Sequence, residues 1–417
     1  MSRSLNIILF ALGGFIGLLV LAALAVLLFV DANTYKPRLE AAASKALGME
    51  VSVDGRLGVG FFPGLQLTLE DGRIRNRGTD LISAERARLG IELLPLLQKK
   101  IRIDKIVLNR PAISIERDRD GKFNFQKSEV SDKPLPVLDL AKVSFSDGTI
   151  AYTDQQSGQG FEAGNCKLDL RRLRLPGGAR PDLMKRLSFT AHLACGGIRK
   201  NDLAASDLKL TLKGKNGVYE LKPVTMQIFG AQGSGSIQAD FSDRVPRYHV
   251  LYSLPQFRSE EFLKTLSPQQ VAQGPMDFSA SLSMQGKTAS EMKQTAEGEA
   301  ALKGENITLD GIDLDLVLSR FESSQNFNLV DVGAFFFAGP IGLAVTKGYN
   351  FASIFQGSGG HSEIRTLVSD WKVEHGVAQA RDVAMATRQN RIALRGGLDF
   401  VHEQFNDVTM ATLDARG

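Results

Sequence analysis

The amino-terminal segment constrains the chain most, because residues 5–30 contain no Asp, Glu, Lys or Arg. A hydrocarbon core about 30 Å thick is crossed by roughly 20 apolar helical residues, so this run is long enough to span it. A secretory signal has an apolar stretch of only about 7–15 residues, which ends at a small-residue cleavage site. Here Ala22, Ala23 and Ala25 lie inside the run instead. We therefore predict an uncleaved membrane anchor over residues 1–30, with a cleaved signal as the alternative.

The charges beside this run predict its orientation. Arg3 precedes the run, while Asp31, Lys36 and Arg38 follow it. A short, positively charged amino-terminal stub usually stays in the cytoplasm. We therefore expect the bulk of the chain to be exported, which in a bacterium means to the periplasm.

Beyond the anchor, the apolar pattern changes from a helical period to a period of two. A short amphipathic helix is predicted within residues 31–50, where Pro37 fits only the first turn and Gly48 fits the end. Leucine or isoleucine then alternates with polar residues, which predicts strands with one apolar and one polar face. The alternating apolar positions singled out are Leu65, Leu67, Leu69, Ile113, Ile115, Leu168, Leu170, Leu208, Leu210 and Leu212.

Asp-Gly and Asn-Gly dipeptides, which favour tight hairpin turns, punctuate these strands. They are Asp54-Gly55, Asp71-Gly72, Asp120-Gly121, Asp147-Gly148, Asn216-Gly217 and Asp310-Gly311. We predict an elongated β-sheet domain over residues 51–274 and a second β domain over residues 275–417. Residues 327–355 of the second domain are interpreted as an apolar helical insert, either part of the core or close to the membrane.

A sheet with one apolar face must bury that face, and few helices are predicted that could cover it. The face can pack on another sheet, as in a sandwich or a closed barrel. Alternatively, the sheet can curve into a groove that holds an apolar ligand. The anchor favours the groove, because membrane lipid is then the nearest apolar ligand. We predict a mainly β fold, an elongated and curved antiparallel sheet whose groove is lined by the ten residues above.

Motifs for catalysis and for metal binding are incomplete. His402-Glu403 begins a zinc-protease motif, but Asn406 stands where the second histidine is needed. A calcium-loop-like stretch begins at Glu116, yet Lys127 occupies the position of its bidentate carboxylate. The formal net charge of +4 is spread along the predicted strands, which argues against nucleic-acid binding. We predict a protein that is not an enzyme and has neither a cofactor nor a metal site.

The two cysteines, Cys166 and Cys195, leave two alternatives. In an oxidising compartment they can form a disulfide. This bond would close a loop of about 30 residues and stabilise the fold by roughly 3–4 kcal/mol in the loop-entropy model. The other alternative is a pair of buried free thiols.

Several stretches, in this order and spacing, together resemble the AsmA family of bacterial envelope proteins over essentially the whole chain. The anchor and the short helix resemble the amino-terminal part of the family. The first strand pair is carried by Phe62-Pro63-Gly64-Leu65-Gln66-Leu67-Thr68-Leu69 with Asp71, Gly72 and Asn76. The most specific stretch comprises Leu94-Pro95-Leu96-Leu97, Ile103, Ile106, Leu108, Pro111, Asp120-Gly121 and Asn124. The carboxy-terminal part is carried by Gly311-Ile312-Asp313-Leu314 and residues 330–345.

The resemblance implies a single-pass inner-membrane protein with a periplasmic, taco-like β-sheet, related to bridge-type lipid carriers. It implies a role in outer-membrane biogenesis, phospholipid transport or the regulation of protein targeting to the membrane. The implied partners are membrane phospholipid, the inner membrane and an outer-membrane or envelope assembly partner. Two hypotheses compete: a conduit that binds acyl chains in an apolar groove, and a non-enzymatic periplasmic scaffold for protein assembly or targeting. The resemblance carries over no catalytic residue.

Overall fold

A computed structural model describes residues 32–60, 64–92, 94–95, 98, 102–125, 135–178, 183–200, 203–265, 272–310, 313, 360–402 and 404–414. The predicted anchor at residues 1–30 and the predicted apolar insert at residues 327–355 lie outside these ranges. Within the described ranges, no helix combines the length and the apolar character needed to cross a membrane.

The chain divides into two compact units, Met1–Arg180 and Pro181–Gly417. The first unit contains α1 (Lys36–Leu47), β1 (Glu50–Val53), β2 (Leu57–Gly60), β3 (Gln66–Asn76), β4 (Thr79–Ile91), β5 (Ile103–Arg117), β6 (Leu135–Asp154) and β7 (Gln159–Gly178). A 3-10 turn at Ala32–Tyr35 precedes α1. Both β1 and β2 pair with β3, and β3, β4 and β5 follow as antiparallel neighbours.

The pairing in the first unit is antiparallel, as predicted, apart from one parallel strand pair. Strands β5 and β6 run in the same direction, from the pair Lys105–Lys142 to the pair Arg117–Asp154. Parallel neighbours need a long connection. Residues 118–134, between the two strands, supply the length that a tight hairpin lacks. Strand β7 then returns antiparallel to β6.

The second unit is built from consecutive antiparallel neighbours. Its elements are α2 (Leu183–Arg186), β8 (Ser188–Lys200), β9 (Leu203–Lys215), β10 (Val218–Ile228), β11 (Ala231–Asp240), β12 (Arg247–Arg258), α3 (Ser259–Leu263), β13 (Ala272–Gln273), β14 (Pro275–Gln285), α4 (Ala289–Gln294), β15 (Glu297–Asp310), β16 (His361–Glu374), β17 (Val377–Ala386), β18 (Asn390–Asp399) and β19 (Gln404–Asp414). Strand β12 pairs with β14, while the short β13 pairs with β15. The boundary predicted near residue 274 therefore falls between paired strands of one unit.

The short helix α1 closes the edge of the first unit. As predicted, Pro37 lies in its first turn, and Gly48 ends it in a left-handed conformation with φ of 67°. Ser44 Oγ accepts the N–H of Val51 at 2.9 Å, and Glu40 Oε1 accepts the N–H of Val53 at 2.8 Å. Because an open strand edge invites pairing with another chain, these side chains protect β1.

Two of the dipeptides predicted as hairpin turns are instead inside strands. Asp71-Gly72 lies within β3 and Asp147-Gly148 within β6, where both aspartates are left-handed with φ of 53° and 55°. Asp and Asn tolerate this conformation better than other side chains, so the same dipeptide suits a bulge as well as a turn. Asn216-Gly217 does join β9 to β10, with φ of 53° and 84°.

The second unit contains a buried apolar core. Phe257, Leu309, Ile364 and Leu398 are each fully buried in a cluster that draws on strands β11 to β18. Helix α3 adds Phe262, whose ring meets that of Phe257 edge-on with centroids 5.9 Å apart. This cluster is an ordinary protein core, in which each apolar side chain is covered by others.

Candidate functional site

The site built from the predicted residues is the apolar face of the first unit. In a ladder, residues directly opposite each other point to the same face. One row crosses five strands through successive partners: Leu67, Leu89, Ile106, Val143 and Leu170. We call these five residues the leading row. Its two ends, Leu67 and Leu170, are both residues that the sequence pattern predicts.

Two further rows cross the same strands. The second comprises Leu69, Ala87, Leu108, Phe145 and Leu168, and the third comprises Ile74, Ile82, Ile113, Ile150 and Ala163. Ile115 lies beyond the third row, opposite Tyr152, whose ring lies 5.8 Å from that of Phe161. Leu65 lies just before β3, where its carbonyl oxygen accepts the N–H of Ile91 at 2.9 Å. The structure thus brings the predicted residues of this unit to one face.

Ala87, Phe145 and Ala163 of the second and third rows are buried, whereas the leading row is not. All five members of the leading row are partly buried, and so are all ten of the residues that the sequence singled out. None of the ten is covered to the degree of Phe257 or Leu309 in the second unit, which are at 0% exposure. The face therefore retains apolar surface that protein atoms do not cover.

A line of left-handed residues crosses β3, β5, β6 and β7 where the alternation of this face is interrupted. Asp71, Arg110, Asp147 and Asn165 have φ of 53°, 46°, 55° and 53°. The register places Asp71 and Arg110 on either side of Glu85, and it places Asp147 beside Arg110. The register shows no extra residue at Asp71 or Arg110, whereas the pairing of β6 with β7 shifts on both sides of Gly148. On β3, for example, Leu69 and Ile74 share that face although their positions differ by five, an odd number.

Strict alternation does not follow β6 from the second row to the third. Val143 and Phe145 alternate normally, but the next apolar member on β6 is Ile150, five residues later. A search for strict alternation stops at such a break. The signal that marks it is the Asp147-Gly148 dipeptide, which was interpreted as a turn.

The predicted residues of the second unit also share one face. Leu208, Leu210 and Leu212 on β9 lie opposite Cys195, Leu193 and Ala191 on β8, respectively. On the other side, Leu210 meets Val224 and Leu212 meets Leu221 of β10. These residues form an apolar face of their own unit.

Both cysteines are disulfide-bonded, and neither is free. Cys166 is fully buried, and Cys195 is 3% exposed. Each lies on the apolar face of its own unit, Cys166 opposite Gly148 and Cys195 opposite Leu208. The alternative of buried free thiols is therefore wrong.

The opposite face of the first unit carries charge. Arg110 Nη1 lies 3.3 Å from Glu85, and Arg86 lies 3.7 Å from Glu70. These side chains are exposed, and such pairs contribute at most about 1 kcal/mol each. These ion pairs mark the solvated face of the first unit. The apolar rows lie on the other face.

The incomplete motifs take structural roles. Asp118 Oδ1 accepts the N–H groups of Asp120 and Lys122 at 3.0 and 2.8 Å, which shapes a turn. His402 Nδ1 lies 2.8 Å from Asp399 Oδ2 at the end of β18. In the part of the chain that the structure describes, no group of three or more His, Cys, Asp or Glu residues could hold a metal ion.

These features define a class, a mainly β protein with a partly exposed apolar sheet face. The model of the AsmA family matches residues 1–177 and 190–336, and the chain therefore belongs to the AsmA family. A search of curated proteins found no match. Membership of the family indicates a role in processes of the cell envelope or its lipids.

Proposed function

We propose that this protein is anchored in the bacterial inner membrane and binds lipid acyl chains in an apolar β-groove in the periplasm. Its role would lie in phospholipid transport and outer-membrane biogenesis. The observation that carries the proposal is the leading row, five large aliphatic side chains in line across five strands, all partly exposed.

The energetics of this face favour an apolar ligand. Covering one leucine or isoleucine side chain contributes roughly 1.5–3 kcal/mol when the side chain is fully removed from water. A contiguous exposed apolar patch normally marks a site of interaction. An acyl chain needs no hydrogen bonds, so it can cover the rows without any polar recognition group among them.

The second unit shows that alternation alone does not leave a face open. On β15 and β16, Leu302, Leu367 and Val373 are 4%, 1% and 1% exposed. The same period-two pattern is thus covered by protein atoms in one part of the chain and left partly open in another. This contrast favours a ligand role for the face of the first unit.

The proposal is tested by native mass spectrometry of the full-length protein after extraction in a mild detergent. The wild-type protein is expected to carry lipid. Leu67→Asp places a charge in the leading row and is expected to abolish lipid co-purification. Thr68→Asp is the matched control, because Thr68 is the next residue on β3, lies opposite Arg88 and points to the other face.

Leu210→Asp, with Lys209→Asp as its control, extends the test to the second unit. Thermal unfolding of each variant separates lost binding from lost folding. Lipid that persists in a folded Leu67→Asp protein would contradict the proposal. A wild-type protein free of lipid would instead favour the periplasmic scaffold.

A further inference from the structure

The second unit has a polar trough on the face opposite its buried core. Ser234 on β11, Ser253 on β12 and Ser279 on β14 are direct cross-strand partners. Ser253 follows Tyr252 and precedes the buried Leu254, so alternation directs it away from the core. Two positions further along these strands, Ser236 of β11 and Ser281 of β14 lie on either side of Leu251 of β12. Ser283 lies two positions beyond Ser281 on β14. We call the surface formed by these six serines the serine trough.

The trough is concave. Ser253, Ser281 and Glu299 are among the residues that line a depression of about 970 Å³. A second depression of about 440 Å³ adjoins it along the same strands, where Ser283 and Glu297 contribute to the lining. The small serine side chains create this space, because larger residues at the same outward positions would fill it.

One wall of the trough contains an unsatisfied acceptor. Asp370 on β16 is the cross-strand partner of Asp382 on β17, and like charges placed opposite each other are destabilising. Asp370 Oδ1 is buried and has no hydrogen-bond partner. A buried acceptor without a donor is costly. The carboxylates of Asp370 and Asp382 also line the depression, and carboxylates accept hydrogen bonds, so this wall favours a ligand that carries O–H or N–H donors.

The charges around the trough favour a neutral ligand. Lys222, Lys303 and Arg381 line the larger depression together with Glu299, Asp370 and Asp382, so the formal charges cancel. Arg381 already lies 3.0 Å from Glu299. A phosphate would face Asp370 and Asp382, and a polycation would face two lysines. Serine hydroxyls both donate and accept, so the floor suits a ligand that does the same.

We propose that the serine trough binds a glycan, a neutral ligand rich in hydroxyl and amide groups. Its hydroxyls would donate to the carboxylates that line the depression and exchange hydrogen bonds with the serines. This site lies on polar side chains of the second unit and does not rest on the proposed lipid function.

The test is calorimetric titration of the full-length protein in detergent with the N-acetylglucosamine trimer chitotriose. The double variant Ser253→Leu/Ser279→Leu fills the trough and is expected to abolish the binding seen with the wild-type protein. Ser279→Ala/Ser281→Ala removes two hydroxyls without adding bulk and is expected to weaken binding by about tenfold. Ser144→Leu, on an outward position of β6 in the first unit, is the matched control and should bind like the wild-type protein.

Spermine and inorganic phosphate are titrated in parallel. Binding of either one in place of chitotriose would overturn the assignment to a glycan, as would the absence of any chitotriose binding. Equal binding by Ser144→Leu and by a folded Ser253→Leu/Ser279→Leu protein would overturn the location. Lipid co-purification is expected to be unchanged in the trough variants, so failure here is distinguishable from failure of the lipid proposal.

Discussion

At the scale of single residues, Asp154 shows how a partly buried carboxylate is stabilised at the end of the apolar face. It ends β6 beside Arg117, the last residue of β5, and Arg117 Nη1 lies 3.3 Å from its Oδ2. Its Oδ1 accepts the N–H of Gln156 at 2.9 Å. Burial raises the pKa of Asp154, but the hydrogen bonds from Gln156 and Ser157 and the charge of Arg117 together lower it below its usual 3.8.

This lowered pKa predicts a pH dependence of stability. The folded state favours the carboxylate more than the unfolded state does, so the stabilisation is present above the usual pKa near 3.8. It is lost as the pH falls through the lower pKa of the folded protein. We expect Asp154→Asn to lose stability at neutral pH and to show a shallower decline on acidification than the wild-type protein. Urea unfolding between neutral pH and the acid limit of the fold measures this.

The control for Asp154 is Glu162→Gln, a change at an exposed position of β7. It should leave both the stability at neutral pH and the slope of the acid decline close to wild type. An Asp154→Asn protein with an unchanged acid profile would show that this carboxylate is not linked to folding.

At the scale of elements, left-handed residues on β3, β5, β6 and β7 lie where the alternation of apolar side chains is interrupted. On β4, Ala87 and Ile82 show the same interruption without a left-handed residue, so this conformation is not required on every strand. Asp71 has a conformational role as well as a charge, and its φ of 53° is one that β-branched residues adopt only with strain.

We expect Asp71→Val to destabilise the protein by about 1–3 kcal/mol, because valine must adopt this left-handed conformation. Asp71→Gly should be close to neutral, since glycine has no such restriction. The measurement is the free energy of unfolding of each variant in urea. Thr68→Val on the same strand is the control and should change stability little, as its backbone is regular β. Equal stability of Asp71→Val and Asp71→Gly would refute the conformational role.

At the scale of the whole molecule, the predicted anchor, the disulfide-bonded cysteines and family membership bear on one question, the compartment that holds the β-sheet units. Disulfides persist in oxidising compartments and are rare in the cytosol. Both cysteines are disulfide-bonded. Family membership indicates association with the cell envelope. These observations support the proposal that the β-sheet units are exported.

We expect a reporter that is active only outside the cytoplasm to be active when fused after Gly417 in a bacterial host. In the same cells, Cys166 and Cys195 should resist a maleimide reagent until the extract is reduced. A reporter active only in the cytoplasm, or thiols that react without reduction, would contradict export. Release of the protein into the soluble fraction would contradict the uncleaved anchor.

The sequence alone predicted the fold class, the short helix and the apolar residues of single strands. Leu67 and Leu69 could be placed on one face, because successive side chains of a strand point to opposite sides. The same argument covered Leu208, Leu210 and Leu212. It failed where a left-handed residue breaks the alternation, as between Phe145 and Ile150, because a dipeptide such as Asp147-Gly148 is compatible with both a turn and a bulge.

The sequence by itself determined the local periods, the end of α1 at Gly48 and the polarity of each strand face, since these depend on neighbouring residues only. The tertiary structure decided which strands became partners, that β5 and β6 run parallel, and that Leu67 aligns with Leu170 across four strand pairs. It also decided that Leu367 is covered while Leu67 stays partly open. Pairing and coverage depend on residues far apart in the chain, and a local pattern carries no information about them.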